Sequence, residues 1–185
     1  NLLFRTSVVS PTPEENAMYA AASAALNSAC ISRQVGAAVT SKGGELLATG
    51  WNDVPGSGGG LYGKPPLFQI VTQDRGDKRC YAQSGARCHN DLEKKTIAEK
   101  IIEALIQDSV LTVENQKKAV EVIMRDSRVK DLIEFSRAVH AEMHAILGAS
   151  RVAGDRVIAG KVFVTTYPCH SCARHLVAAG ISEIY

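Results

Sequence analysis

His140-Ala141-Glu142-Met143-His144 and, further along, Pro168-Cys169-His170-Ser171-Cys172 are the two stretches whose reading decides the fold of this chain. Both carry side chains that bind transition metals: imidazoles in the first, a Cys-x-x-Cys pair in the second. Each half alone is ambiguous. A Cys-x-x-Cys pair serves structural zinc knuckles and redox centres alike, and His140 with His144 has the spacing of two ligands on one helical face. A zinc protease, however, needs Glu directly after the first His, and Ala141 stands there, with Glu142 one position later. A redox centre would leave Glu142 idle, and the surroundings of Cys169 do not read as the start of a thioredoxin-like chain.

Together and in this order, H-A-E followed by P-C-x-x-C resembles the signature of the zinc-dependent cytidine/deoxycytidylate deaminase superfamily, H-x-E…P-C-x-x-C. The resemblance implies one catalytic Zn2+ held by His140, Cys169 and Cys172, with the fourth position left to water. A metal so placed lowers the pKa of that water from ~15.7 towards ~7. Glu142, free of the metal, would take a proton from the water, pass it to the ring nitrogen under attack, and help ammonia depart. His144 and His170 read as neighbours of the centre or as surface groups, not as ligands.

The chain has 185 residues, enough for one well-buried domain, and its 45% hydrophobic and 22% charged residues are ordinary for a globular protein. A net charge of +2 and 5% aromatic residues advertise neither a nucleic-acid groove nor a membrane surface. No run approaches the ~18 to 20 apolar residues of a transmembrane helix. Five cysteines make an odd count, and two already sit in the metal motif, which argues against a disulfide framework and for a reducing cytoplasm. The sequence opens on Asn1, and Ile181–Tyr185 reads as an unfinished strand, so a fragment of a longer protein is expected.

Residues 1–11 read as an N-terminal arm or linker, and residues 12–185 as the deaminase domain. Thr12, Pro13 and Glu15 predict a capped helix running to about Ala29, whose small residues imply close packing on a sheet. Val35 to Thr40 reads as a strand buried on both faces, and Glu45 to Thr49 as its hairpin partner. An insertion over about 52–137 follows. It opens with a Gly/Pro-rich loop and continues with a helix bearing Ile97, Ile101 and Leu105 on one face. A second helix after Thr112 presents Ala119, Val120 and Ile123, and a short third spans Val129 to Phe135. The metal helix is expected over Ala138 to about Arg151, starting at or just before His140, with a strand over Lys161 to Thr166 and a helix from Cys169 to Ala179 ended by Gly180. His140 and Glu142, two apart, converge on a metal only if it lies off the helix's N-terminal end. The expected fold is α/β: a cytidine-deaminase-like three-layer α/β/α with a mixed sheet and a partly helical insertion.

The stretches S-R-Q-V-G-A-A-V (Ser32 to Val39) and G-W-N-D (Gly50 to Asp53) resemble the superfamily's first strand and the loop after its second. Gly50 to Tyr62 is more narrowly similar to the bacterial anti-phage deoxycytidine nucleotide deaminases. Members of that branch carry a P-loop kinase-like module before the deaminase module and deplete dCTP. The resemblance therefore implies a homo-oligomer acting on dCTP or dCMP, preceded by such a module in the full-length protein, since no G-x-x-x-x-G-K-[ST] occurs here. A housekeeping dCMP deaminase, a nucleic-acid cytosine or adenine deaminase, a guanine or riboflavin-pathway deaminase, and a non-catalytic zinc module stand as alternatives.

The resemblance further implies that Val35 and Ala37 line the base pocket, that the Ala141 N–H meets the ring carbonyl, and that Asn52 contacts the sugar–phosphate side. Tyr167 either faces the base or is a strand-end core aromatic. Gly56 to Gly60 suits either an anion-binding nest, with Lys64 and Arg33 adding positive charge, or a plain flexible loop. Cys80, Cys88 and His89 suit either a second, structural zinc with a fourth ligand from elsewhere or ordinary free thiols.

Overall fold

The computed structural model describes residues 9–56, 59–62, 77–83 and 85–185, and the chain divides into two compact units. The first comprises Asn1–Asp74 with Ala138–Tyr185, the second Arg75–Arg137.

In the first unit, helix α1 (Pro13–Ala25) begins where both halves of a capping box close: Thr12 Oγ1 accepts the Glu15 N–H, and Glu15 Oε2 accepts the Thr12 N–H. The helix stops short of the expected Ala29. Asn27 turns back on the Ala24 carbonyl through both its backbone and its side-chain amide, and the Ser28 hydroxyl is drawn to the Asn52 carbonyl.

Strand β1 (Gly36–Thr40) is buried along its whole length, as its apolar sequence requires. It pairs antiparallel with β2 (Leu46–Trp51) on one side and β3 (Lys161–Val164) on the other, and β3 pairs parallel with β4 (Glu183–Ile184). The sheet order is β2-β1-β3-β4, a mixed sheet with β2 and β4 outermost.

Alternation along β1 divides the core. Ala38 joins Ala17 and Ala21 of α1 and Phe163 of β3 on one face. Ala37 and Val39 face the opposite way, onto Ala141, Ala145 and Ala149 of helix α4 (Ala141–Ala153) and Leu176 of helix α5 (His170–Ala178). The result is the three-layer α/β/α arrangement. Small residues let its layers approach closely: a Cβ on Gly36 would lie 1.9 Å from the Ala21 carbonyl oxygen of α1.

The second unit holds a 3₁₀ turn (Cys80–Ala82), helix α2 (His89–Gln107), helix α3 (Gln116–Asp126) and a further 3₁₀ turn (Arg128–Asp131). The buried row of α2 is Lys94, Ala98 and Ile102, one position round from the expected Ile97, Ile101 and Leu105, and Ile101 is exposed. Lys94 Nζ donates to the Lys130 carbonyl at 2.6 Å and Asn90 Nδ2 to the Leu132 carbonyl at 3.0 Å, which turns that face inward. The expected third helix is only the 3₁₀ turn, with Ser127 Oγ accepting the Val129 N–H.

Candidate metal centre

His140 is the N-cap of α4, in extended backbone conformation, so its side chain leaves from the mouth of the helix instead of its flank. The preceding residue is pinned: the Val139 N–H donates to the Asp53 carbonyl at 2.9 Å. Cys169 is likewise the N-cap of α5, its Sγ accepting the Cys172 N–H at 3.4 Å. Two helix starts thus meet, each with a positive dipole end that favours thiolate. The sulfurs of Cys169 and Cys172 both lie 3.4 Å from His140 Nδ1.

That separation fits a metal. Ligands at zinc's usual distances in a tetrahedron stand about 3.5 Å apart, nitrogen to sulfur. The donor chemistry agrees. Burial, with the Glu142 carboxylate and Cys169 beside it, pushes the Cys172 thiol far above the usual thiol range. A divalent cation between these groups reverses the balance and holds the sulfur as thiolate. Among the described residues, these three form the one group of three or more His, Cys, Asp or Glu side chains gathered closely enough to share an ion. Cys80, Cys88 and His89, read either as a second zinc site or as ordinary free thiols, do not form such a group, although Cys80 is near enough to Cys88 to add to burial in raising its pKa. Cys80 opens the 3₁₀ turn while Cys88 and His89 start α2.

Glu142 sits in the first turn of α4 and is only 3% exposed. A carboxylate buried beside a metal centre yet outside its donor set is placed to move protons. His144, one turn on, does not join the centre. Its Nδ1 accepts the Trp51 main-chain N–H at 3.2 Å, and its ring stands edge-on to the indole at 4.8 Å. Burial holds its pKa below the ordinary histidine value, in keeping with a neutral ring that accepts at Nδ1. His170 is exposed.

The model for the cytidine and deoxycytidylate deaminase zinc-binding region matches residues 11–185. The chain belongs to this family of zinc-dependent hydrolytic deaminases. It is 40% identical over 50 residues to ComE operon protein 2 of Bacillus subtilis (strain 168), a match covering 27% of this chain and 26% of that protein. The chain thus aligns with about a quarter of that curated relative's length. Among solved structures it is similar to the dCMP deaminase of cyanophage S-TIM5 in apo form. The TM-score is 0.51 at 18% identity, over 96% of this chain and 83% of that one, a likeness of fold.

The deaminase's other expected site residues fall as follows. Val35 and Ala37 are buried in the same cluster as Ala141, beneath the first turn of α4. Ala141 is the first residue of that helix, where N–H groups have no partner within the helix. Tyr167 is 94% exposed, so it is not a core aromatic. It lines a pocket of about 390 Å³ with Thr165, Thr166, Pro168 and Tyr185, directly before Cys169. Arg33 is brought to the same end, its Nη1 donating to Thr166 Oγ1 at 3.1 Å.

Asn52 is committed to its own chain. Its Oδ1 accepts the Val35 N–H at 2.7 Å and the Ser28 hydroxyl at 3.0 Å, and its Nδ2 donates to the Arg33 carbonyl at 2.8 Å. Asn52→Ala therefore leaves the buried Val35 N–H without its partner, at about 1–3 kcal/mol, and releases the part-buried Arg33 carbonyl. We expect a lower unfolding midpoint with raised KM and lowered kcat, read from denaturant titration and steady-state kinetics. Lys64 lies outside the described residues, as do Ser57 and Gly58. The loop differs from an open nest at two of its glycines: the Gly56 N–H donates to the Gly60 carbonyl and the Gly59 N–H to the Gly56 carbonyl.

The neighbours of Asn52 in the G-W-N-D stretch also hold the site. A Cβ on Gly50 would lie 2.4 Å from Ala145 N and 2.5 Å from the Ala141 carbonyl oxygen, so α4 crosses β2 backbone to backbone there. Asp53 is buried; its Oδ2 accepts the Ala29 N–H and its carbonyl pins Val139. The overlooked signal was the pairing of a strand glycine with two alanines four apart on the metal helix.

Proposed function

We propose that this chain hydrolytically deaminates a free deoxycytidine nucleotide, dCMP or dCTP, to the corresponding deoxyuridine nucleotide and ammonia. The observation that carries the proposal is the buried Glu142 beside the His140, Cys169 and Cys172 triangle. Zinc, when bound by those three side chains, supplies an acidified water as nucleophile. Glu142 would take a proton from that water, whose oxygen adds to C4 of the cytosine, and return it to ring N3. It then carries the second proton to the amino group, which leaves as ammonia when the C4–N bond breaks. The Ala141 N–H orients the ring through its carbonyl, and Val35 and Ala37 form the wall below.

A free nucleotide is favoured over nucleic acid by the near-neutral charge, +2, and the sparse aromatic residues. The S-TIM5 likeness points to dCMP, whereas Gly50 to Tyr62 resembles the dCTP-depleting anti-phage branch. Arg33, at the rim beside Thr166, and Lys64 are the groups we assign to phosphate. A homo-oligomer with a preceding kinase-like module, in a reducing cytoplasm that preserves the metal thiols, accompanies that reading.

Ammonia release from dCMP, dCTP, cytidine and a cytosine oligonucleotide tests the proposal: turnover of the mononucleotides and not the oligonucleotide is expected, and the reverse order refutes it. Lys64→Ala should lower kcat/KM for dCTP more than for dCMP, because only dCTP carries the further phosphates to which Lys64 is assigned. An equal fall for both removes Lys64 from triphosphate recognition.

A further inference from the structure

We infer that His144 is a positioning residue of the metal centre: by accepting the Trp51 main-chain N–H it fixes the rotation of the helix carrying His140 and Glu142. β2 is an outermost strand, so every second N–H along it points away from the sheet. The Asn52 N–H turns inward to the Val35 carbonyl, and the carbonyl of Gly36, which lies opposite Trp51, is taken by the Thr165 N–H of the other neighbour. The Trp51 N–H therefore faces outward, where no strand among the described residues meets it. His144 Nδ1 meets it instead, from one turn beyond His140, to whose carbonyl the His144 N–H is bonded at 3.0 Å.

The two adjoining contacts have different consequences. Backbone contact at Gly50 sets how closely α4 approaches β2, but such packing of small apolar groups is non-directional and leaves the helix some freedom to turn on its axis. A directional hydrogen bond from the next residue removes that freedom, and the edge-on Trp51 ring backs it. A rotation of about 10° moves atoms about 5 Å from a helix axis by about 1 Å. Misplacement on that scale costs about 10²-fold in rate. His144 touches neither metal donor atoms nor reacting atoms in this account; it acts through the helix.

The inference rests on the proposed deaminase activity for its kinetic readout alone. Two substitutions separate the bond from the packing. His144→Phe keeps a ring against Trp51 without an acceptor, whereas His144→Asn gives up the ring but places Oδ1 where Nδ1 stood. The zinc-loaded proteins are compared by the rate of zinc transfer to a chromogenic chelator, by the visible spectrum of the cobalt-substituted forms, and by kcat and KM for dCMP.

We expect His144→Phe to release zinc about ten-fold faster, with an altered cobalt spectrum and kcat lowered about 10²-fold at a KM within about two-fold. His144→Asn should remain within about three-fold of wild type throughout. Wild-type zinc release and cobalt spectrum in His144→Phe overturn the inference, as does equal impairment of both variants, which would mark plain packing. Should His144→Phe fail to fold, His144→Asn decides: near-wild-type behaviour supports the bond and impairment refutes it. If wild-type protein does not deaminate dCMP, the functional proposal falls, while zinc release and cobalt spectra still decide the role of His144.

Discussion

Glu142→Ala should bind one zinc and unfold at close to the wild-type midpoint, while its ammonia release should fall by at least about 10²–10⁴-fold, the usual share of general acid–base catalysis. The separation of effects follows from placement. Glu142 stands outside the three-donor triangle, in the first turn of a helix whose mouth carries His140. The mutation removes the proposed proton carrier and none of the three donor side chains. Glu142→Gln, of nearly the same shape, should fall as far, because an amide packs equally well but transfers no proton. Metal analysis and single-turnover assays on both variants check this; turnover near wild type in either removes Glu142 from the chemistry.

Gly50→Ala has the second large effect, through geometry alone. The new methyl would stand 2.4 Å from one backbone atom of α4 and 2.5 Å from another, and neither can swing aside as a side-chain tip can. The helix must lift at its metal-bearing end. Overpacking of this kind costs about 1–3 kcal/mol or more, and a shift of about 1 Å costs about 10²-fold in rate. Gly36→Ala is the matched control: it collides with α1 on the opposite face of the sheet, at the Ala21 carbonyl oxygen. Both variants should unfold at lower denaturant concentration, but only Gly50→Ala should also lose zinc affinity and kcat in the molecules that remain folded. Equal zinc affinity in the two would mean that the seat on β2 does not set the centre.

The contrast between these glycines shows what was legible in the sequence. Local chemistry was readable: the Thr12 and Glu15 capping box, the doubly buried β1, and helix starts at His140 and Cys169 are written in residues a few positions apart. What failed depended on distant partners. The end of α1 is decided by Ser28 meeting Asn52, twenty-four residues away. The buried face of α2 is decided by Lys130 and Leu132 accepting from Lys94 and Asn90. The site divides likewise. The metal ligands and Glu142 stand out by residue type and spacing, whereas Gly50 and Trp51 acquire their roles only once α4 is laid across β2. Tyr167 was ambiguous because a strand-end aromatic serves a core and a pocket equally well in sequence.

The most direct test is a zinc titration of metal-free protein, followed by ammonia release from dCMP and dCTP with zinc content measured in the same samples. Activity should rise linearly and level off at one zinc per chain, and should be absent when His140, Cys169 or Cys172 is replaced by Ala. Undiminished deamination by metal-free protein, or a fully zinc-loaded chain that deaminates neither nucleotide, would contradict the account.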